Sequence, residues 1–170
     1  NGFFYSQYDD TADNLKANKN QRIFYHKLGD DFKNDTLIFE DPENPLRYNH
    51  AWVSDDNRYL FINISIGTSQ NKILFKSLED ENSRFKPIFD TFDYTYYPMD
   101  SFKQDEFYIY TNKDAKNYQL LRINLKDPDL KVEIIIPERD YLFDGVLPIN
   151  GKLIAFYIKD VCAKIEVLDT

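Results

Sequence analysis

Cysteine is nearly missing from this chain of 170 residues, in which Cys162 stands alone. A single thiol cannot close an intramolecular disulfide, so an oxidising compartment has no support; a cytoplasmic location is expected, with a periplasmic one compatible. Histidine is scarce as well. His26 and His50 with one cysteine do not supply the paired ligands of a zinc site, and no acidic run has the Gly and closing Glu of a calcium loop, so neither metal nor cofactor is expected. Clustered Lys and Arg are absent too: the formal net charge is −8, with both signs scattered along the chain. That pattern excludes a nucleic-acid footprint and disfavours anionic lipid as a partner. No apolar run approaches the roughly 20 residues of a spanning helix, so the chain reads as soluble. The start, Asn1-Gly2, is not Met and shows no basic and apolar leader, and it reads as a piece cut from something longer.

What the chain does have is aromatic side chains, 13 Tyr and 14 Phe, which pack well on pleated, half-buried surfaces and favour an all-β fold. Tyr59–Ser65, Glu106–Asn112 and Lys152–Ile158 read as buried strands entered from polar turns, and they recur about every 46 residues. Each is followed by a strand of alternating character, at Ile73–Leu78, Gln119–Leu125 and Lys164–Asp169. Further strands are expected at Phe85–Phe89 and Lys131–Ile136, and opening strands at Ala51–Ser54, Asp93–Tyr97 and Tyr141–Leu147. Four strands in each repeat of roughly 40 to 50 residues is the pattern of a β-propeller blade. Helical solenoids are excluded, because apolar spacing at i, i+3, i+4 and i+7 is never sustained.

The ends break the repeat. The first unit shows three strands, near Phe3–Tyr8, Arg22–Leu28 and Thr36–Glu40, and the last stops after Asp169 without its fourth. The expectation is a partial propeller of about fourteen strands, or three and a half four-stranded antiparallel blades. Its divisions fall at about 1–45 (incomplete), 46–92, 93–140 and 141–170 (incomplete). Unpaired edges would then favour a homo-oligomer.

At Ser54-Asp55-Asp56-Asn57-Arg58-Tyr59-Leu60 the chain resembles the prolyl oligopeptidases, whose propellers carry a similar Ser-Asp-Asp-Gly-Arg-Tyr turn. Phe24–Gly29 is similar to the family's Tyr-Tyr-His-x-Leu-Gly, and Phe39–Pro45 to its Tyr-Glu-Asp-Pro-Glu-Asn-Pro. Tyr110–Ala115, Asn117-Tyr118, Ile135–Glu138 and Tyr157–Val161 continue the likeness in order, so that it spans essentially the whole chain. The resemblance implies the middle blades of a seven-bladed propeller capping an α/β-hydrolase domain, in a serine peptidase that cleaves short peptides after proline. That catalytic domain is absent from these residues. The partners implied are short proline-containing peptides and the hydrolase domain of the same parent chain. Carried over residue by residue, the apolar wall of the third substrate subsite falls on Tyr48. Its neighbour at the Glu-Gly-Thr turn falls on Thr68, and an Arg of some members falls on Ser65. Ile66 replaces the usual acidic residue before Gly67, so an uncharged wall is expected.

No serine can act as a nucleophile of the Gly-x-Ser-x-Gly type, since Ser6, Ser54, Ser65, Ser69, Ser77, Ser83 and Ser101 all lack the flanking glycines. His26 reads as a strand residue and His50 as a turn residue, neither with a triad partner visible in sequence. No catalytic residue is therefore expected here. Asp9-Asp10, Asp30-Asp31 and Glu79-Asp80-Glu81 read as solvated turns, and Cys162 as a buried, inert thiol. The alternative to a gating propeller is a stand-alone propeller-type module that binds a peptide or protein on its loop face.

Overall fold

The computed structural model describes residues 1–8 and 18–169, so the acidic pair at Asp9-Asp10 lies outside the described residues. Among the described residues fourteen strands form four antiparallel sheets, each strand pairing only with its neighbours in sequence. The first sheet holds β1 (Gly2–Gln7), β2 (Arg22–Lys27) and β3 (Thr36–Phe39). The second holds β4 (Tyr48–Val53), β5 (Tyr59–Ser65), β6 (Asn71–Ser77) and β7 (Lys86–Phe89). In the third are β8 (Tyr96–Asp100), β9 (Glu106–Thr111), β10 (Gln119–Asn124) and β11 (Glu133–Ile136). The fourth comprises β12 (Leu142–Ile149), β13 (Lys152–Lys159) and β14 (Cys162–Asp169). Two compact units result, Asn1–Phe92 with the first two sheets and Asp93–Thr170 with the last two.

Local chemistry explains the pairing. Asn150-Gly151 and Asp160-Val161 are two-residue hairpin loops with positive φ at both positions, the geometry whose twist matches that of the flanking strands. Pro87, Pro98 and Pro148 all stand in strands at sheet edges, where a missing N–H costs no ladder bond. The register slips between Ile23 and Phe24, between Ile73 and Leu74, and between Leu120 and Leu121. In each of these three sheets the slip joins the last two strands, so β1 corresponds to β5 and β9, and the first sheet matches the last three strands of a complete blade.

Within the first unit, Ile23 of β2 packs against Ile62 and Ile64 of β5, with Phe4, Ile38 and Leu74 around them. Polar ties reinforce this contact. Ser6 Oγ donates to the Asn49 carbonyl at 3.1 Å, and the Asn49 N–H and side-chain amide donate to the Gln21 Oε1 and carbonyl, both at 2.7 Å. In the second unit, Tyr108, Leu120 and Ile136 meet Phe143, Leu153, Ala155 and Tyr157. Tyr110 Oη donates to the Phe143 carbonyl at 2.7 Å across the same seam. Each large side chain buried there contributes about 1.5–3 kcal/mol.

Three sequence expectations are corrected. His50 is a strand residue of β4 opposite Asn63, because β4 pairs with β5 along its whole length from Tyr48 rather than opening at Ala51. Its ring lies near Trp52, 6.3 Å between centroids and nearly parallel. The third sheet opens at Tyr96 rather than Asp93, since the Tyr96–Thr111 pair begins the ladder and the Thr95 N–H is taken by the Asn112 side chain. Cys162 is exposed, not buried: it starts β14, an edge strand, and pairs with Lys159 across the hairpin mouth. Among the described residues the helical structure is one short 3-10 turn, Phe32–Asn34, and no helix is long and apolar enough to cross a membrane.

Candidate functional site

Tyr48 and Ser65 are direct partners across β4 and β5, which places their Cβ atoms about 4.5–5.5 Å apart at one end of the second sheet. The chain then turns through Ile66-Gly67-Thr68-Ser69-Gln70, with Gly67 at φ +70° and the Ile66 N–H directed to the Gln70 carbonyl at 3.4 Å. Thr68 is exposed at the tip of this turn, and Tyr48 keeps 43% of its surface in solvent. The structure thus pairs Tyr48 with Ser65 and puts Thr68 in the turn that follows Ser65. Tyr8, which sequence reading missed, lies within electrostatic reach of Tyr48; burial, and secondarily that neighbouring phenol, push its ionisation upward. Nothing in the order of residues marks it, because its approach to Tyr48 arises from packing between two sheets.

Charges near this end are paired off. Arg47 Nη1 meets Asp41 Oδ2 at 2.9 Å and Lys72 Nζ meets Asp90 Oδ1 at 2.8 Å, and the two cations flank the Phe92 ring at 4.7 and 4.9 Å. Among the described residues, the Tyr48 phenol, the Ser65 and Thr68 hydroxyls and Ile66 stand at this end of the sheet. Among the described residues such a surface offers apolar contact and hydrogen bonds and pairs no nucleophile with a base.

The histidines do not alter this. His26 Nδ1 contacts Asp35 Oδ1 at 2.7 Å, and Tyr5 Oη donates to Asp35 Oδ2, also at 2.7 Å. Burial alone would raise the Asp35 carboxyl, but the bonds from Tyr5 and His26 outweigh it and hold it below the usual range. No serine hydroxyl is among the hydrogen-bond partners of His26, so the group ties β1, β2 and the turn before β3 together. A cavity of about 830 Å³ lies at the opposite end of the second sheet from Tyr48, lined by Phe4, Tyr25, Trp52 and Asn57. It opens beside β1, the edge strand of the first sheet among the described residues.

The model of the prolyl oligopeptidase N-terminal β-propeller domain matches residues 1–170. The chain belongs to that family. Prolyl endopeptidases of Elizabethkingia meningoseptica and Dictyostelium discoideum are 31% and 32% identical over 175 and 194 residues, each match covering 99% of this chain. The chain spans about a quarter of those relatives, 24% and 26%. A prolyl endopeptidase structure from a study of inter-domain dynamics superposes with a TM-score of 0.88 at 22% identity, over 99% of this chain and 24% of that one. Galerina marginata prolyl oligopeptidase B, bound to a 35mer hydrolysis and macrocyclization substrate, gives 0.85 at 23% identity over 98% and 24%. Its all-β sheets of three and four strands are therefore those of a prolyl oligopeptidase propeller.

Proposed function

We propose that this chain forms three and a half blades, divided at about residues 45, 92 and 140, of the propeller that gates a prolyl oligopeptidase. The parent enzyme is a serine peptidase that cleaves short peptides after proline by acyl transfer, its Ser, Asp and His lying in an α/β-hydrolase domain outside these residues. The blades act sterically: a ring over the active site keeps folded proteins out of the chamber. The single exposed, unbridged cysteine favours a reducing compartment, the cytoplasm.

Within that chamber Tyr48, Ser65 and Thr68 line the third subsite as an uncharged wall. The observation that supports this reading is the Tyr48–Ser65 pairing beside an exposed Gly67-Thr68 turn, where the phenol stays open although the strand behind it is buried. The test is Tyr48→Ala in the full-length protein, assayed on proline reporters with and without a residue for that subsite. The expected result is a loss of about tenfold in kcat/KM for the longer reporter, carried by KM, and no change for the shorter. Equal values for both reporters would remove Tyr48 from the subsite. The 170-residue chain alone is expected to hydrolyse neither.

A further inference from the structure

In the second unit three cations gather about Tyr141. Arg139 precedes β12, Tyr141 adjoins its first residue, Lys159 ends β13, and Lys164 and Glu166 lie on β14. Arg139 Nη1 donates to the Tyr141 hydroxyl and to Glu166 Oε1, both at 2.8 Å. Lys164 Nζ reaches the same hydroxyl at 3.5 Å and Glu166 Oε1 at 2.8 Å. Lys159 and Lys164 also stand over the Tyr141 ring, at 5.4 and 5.5 Å from its centroid.

An ion pair that merely pins the hairpin accounts for Glu166, Lys164 and one nitrogen of Arg139. Three features stay unexplained. Arg139 uses Nη1 for both its bonds, so Nε and Nη2 have no protein partner among the described residues, on a side chain 31% exposed. Lys159 contacts the ring and has no carboxylate within ion-pair distance among the described residues, although its neighbour is Asp160. Tyr157 is 1% exposed, packs edge-on against Tyr141 at 5.5 Å under the Arg139 guanidinium, and its buried hydroxyl has no hydrogen-bond partner.

We propose that Arg139, Tyr141, Lys159 and Lys164 form an oxyanion site that takes one carboxylate or phosphate group. Because the Tyr141 oxygen accepts bonds from two cations, its own proton is free to be donated outward. An arriving oxyanion is offered that proton, the open edge of the guanidinium and two ammonium groups. Charge-assisted bonds of this kind are about twice as strong as neutral ones, and the guanidinium edge suits two oxygens at once. Arg139 and Lys164 share the carboxylate of Glu166, while Lys159 stands over the Tyr141 ring with no carboxylate within ion-pair distance among the described residues, so the cations here outnumber the carboxylates bonded to them. The cations act on the site's own acids. Bonds from Arg139 and then Lys164 hold the Glu166 carboxyl down at about 2, and the Arg139 bond makes the Tyr141 phenol more acidic than usual, hence a stronger donor. Leu142 pairs with Ile158 as Tyr48 pairs with Ser65, so the site occupies the same end of its own sheet as the Tyr48 surface does of the second. The inference does not depend on the subsite reading.

The test is a low-salt NMR titration of the chain, labelled at arginine and tyrosine, with inorganic phosphate and separately with an acetylated triglutamate peptide. The Arg139 Nε–H and Tyr141 ring signals are expected to shift saturably. Lys159→Gln and Tyr141→Phe should each weaken the effect about tenfold, roughly the value of one charged hydrogen bond. Both variants should fold, since Lys159 is exposed and Phe keeps the ring against Tyr157. Saturation by phosphate alone identifies a small inorganic anion as the ligand, and saturation by the peptide identifies a peptide carboxylate. No saturable shift with either, or a shift that survives both substitutions, overturns the site.

Discussion

Ser54 closes β4 against β5 with a hydroxyl that serves several neighbours at once. Its Oγ accepts the N–H groups of Arg58 and Tyr59 at 3.2 and 3.0 Å and donates to Asp56 Oδ1 at 2.7 Å, on a side chain 2% exposed. Ser54→Ala leaves those two N–H groups without that acceptor, so a loss of about 1–3 kcal/mol is expected in urea unfolding. An unchanged midpoint would mean that water replaces the hydroxyl. Asn57, two residues on, adopts φ +60°, where the prolyl oligopeptidase turn carries Gly and where Asn is among the few other residues tolerated. The turn was legible from its residue types because backbone sterics act locally. Tyr8 beside Tyr48 was not legible, and neither was Asp35 beside His26, since both meetings depend on strands brought together across a sheet or between sheets.

At the scale of elements, β13 and β14 are joined by a two-residue loop, and one of its residues fits poorly. Val161 sits at φ +64° with 96% of its surface exposed, so a β-branched side chain occupies left-handed backbone and buries nothing in return. Val161→Gly is expected to stabilise the second unit by about 1 kcal/mol, seen as a raised midpoint in thermal unfolding. A lowered midpoint would show that the loop needs the stiffness of valine. Strand existence and order were readable from alternation and spacing, whereas several boundaries shifted. The shifts have one cause: ladder pairing, not side-chain type, decides where a strand begins, as at Tyr48 and Tyr96. Cys162 moved from buried to exposed for a related reason. Sequence shows an apolar neighbourhood, but only the strand order shows that β14 is an edge.

In the 170-residue chain taken by itself, the fourth sheet leaves Leu147, Ile149, Ile158, Ile165 and Val167 exposed, each at 38% or more. On the other side of β13, Leu153, Ala155 and Tyr157 are fully covered. A contiguous apolar face beside an edge strand favours association, and the chain is expected to form dimers or larger species as concentration rises. Light scattering checks this, and Ile165→Glu with Val167→Glu should return it to monomer. A monomer at all concentrations in the unaltered chain would count against the association.

The sequence by itself determined the repeat, the all-β class and the family, because periodicity, turn chemistry and motif order are properties of the chain as written. Tertiary structure alone decided which residues share a surface. Arg139 and Glu166 are separated by 27 positions yet bond at 2.8 Å, and Lys159 and Lys164 converge on Tyr141 only once β12, β13 and β14 are in register. Charge spread evenly along an extended chain becomes concentrated where a sheet folds its ends together, and that concentration is a property of distance in space, not of order in sequence.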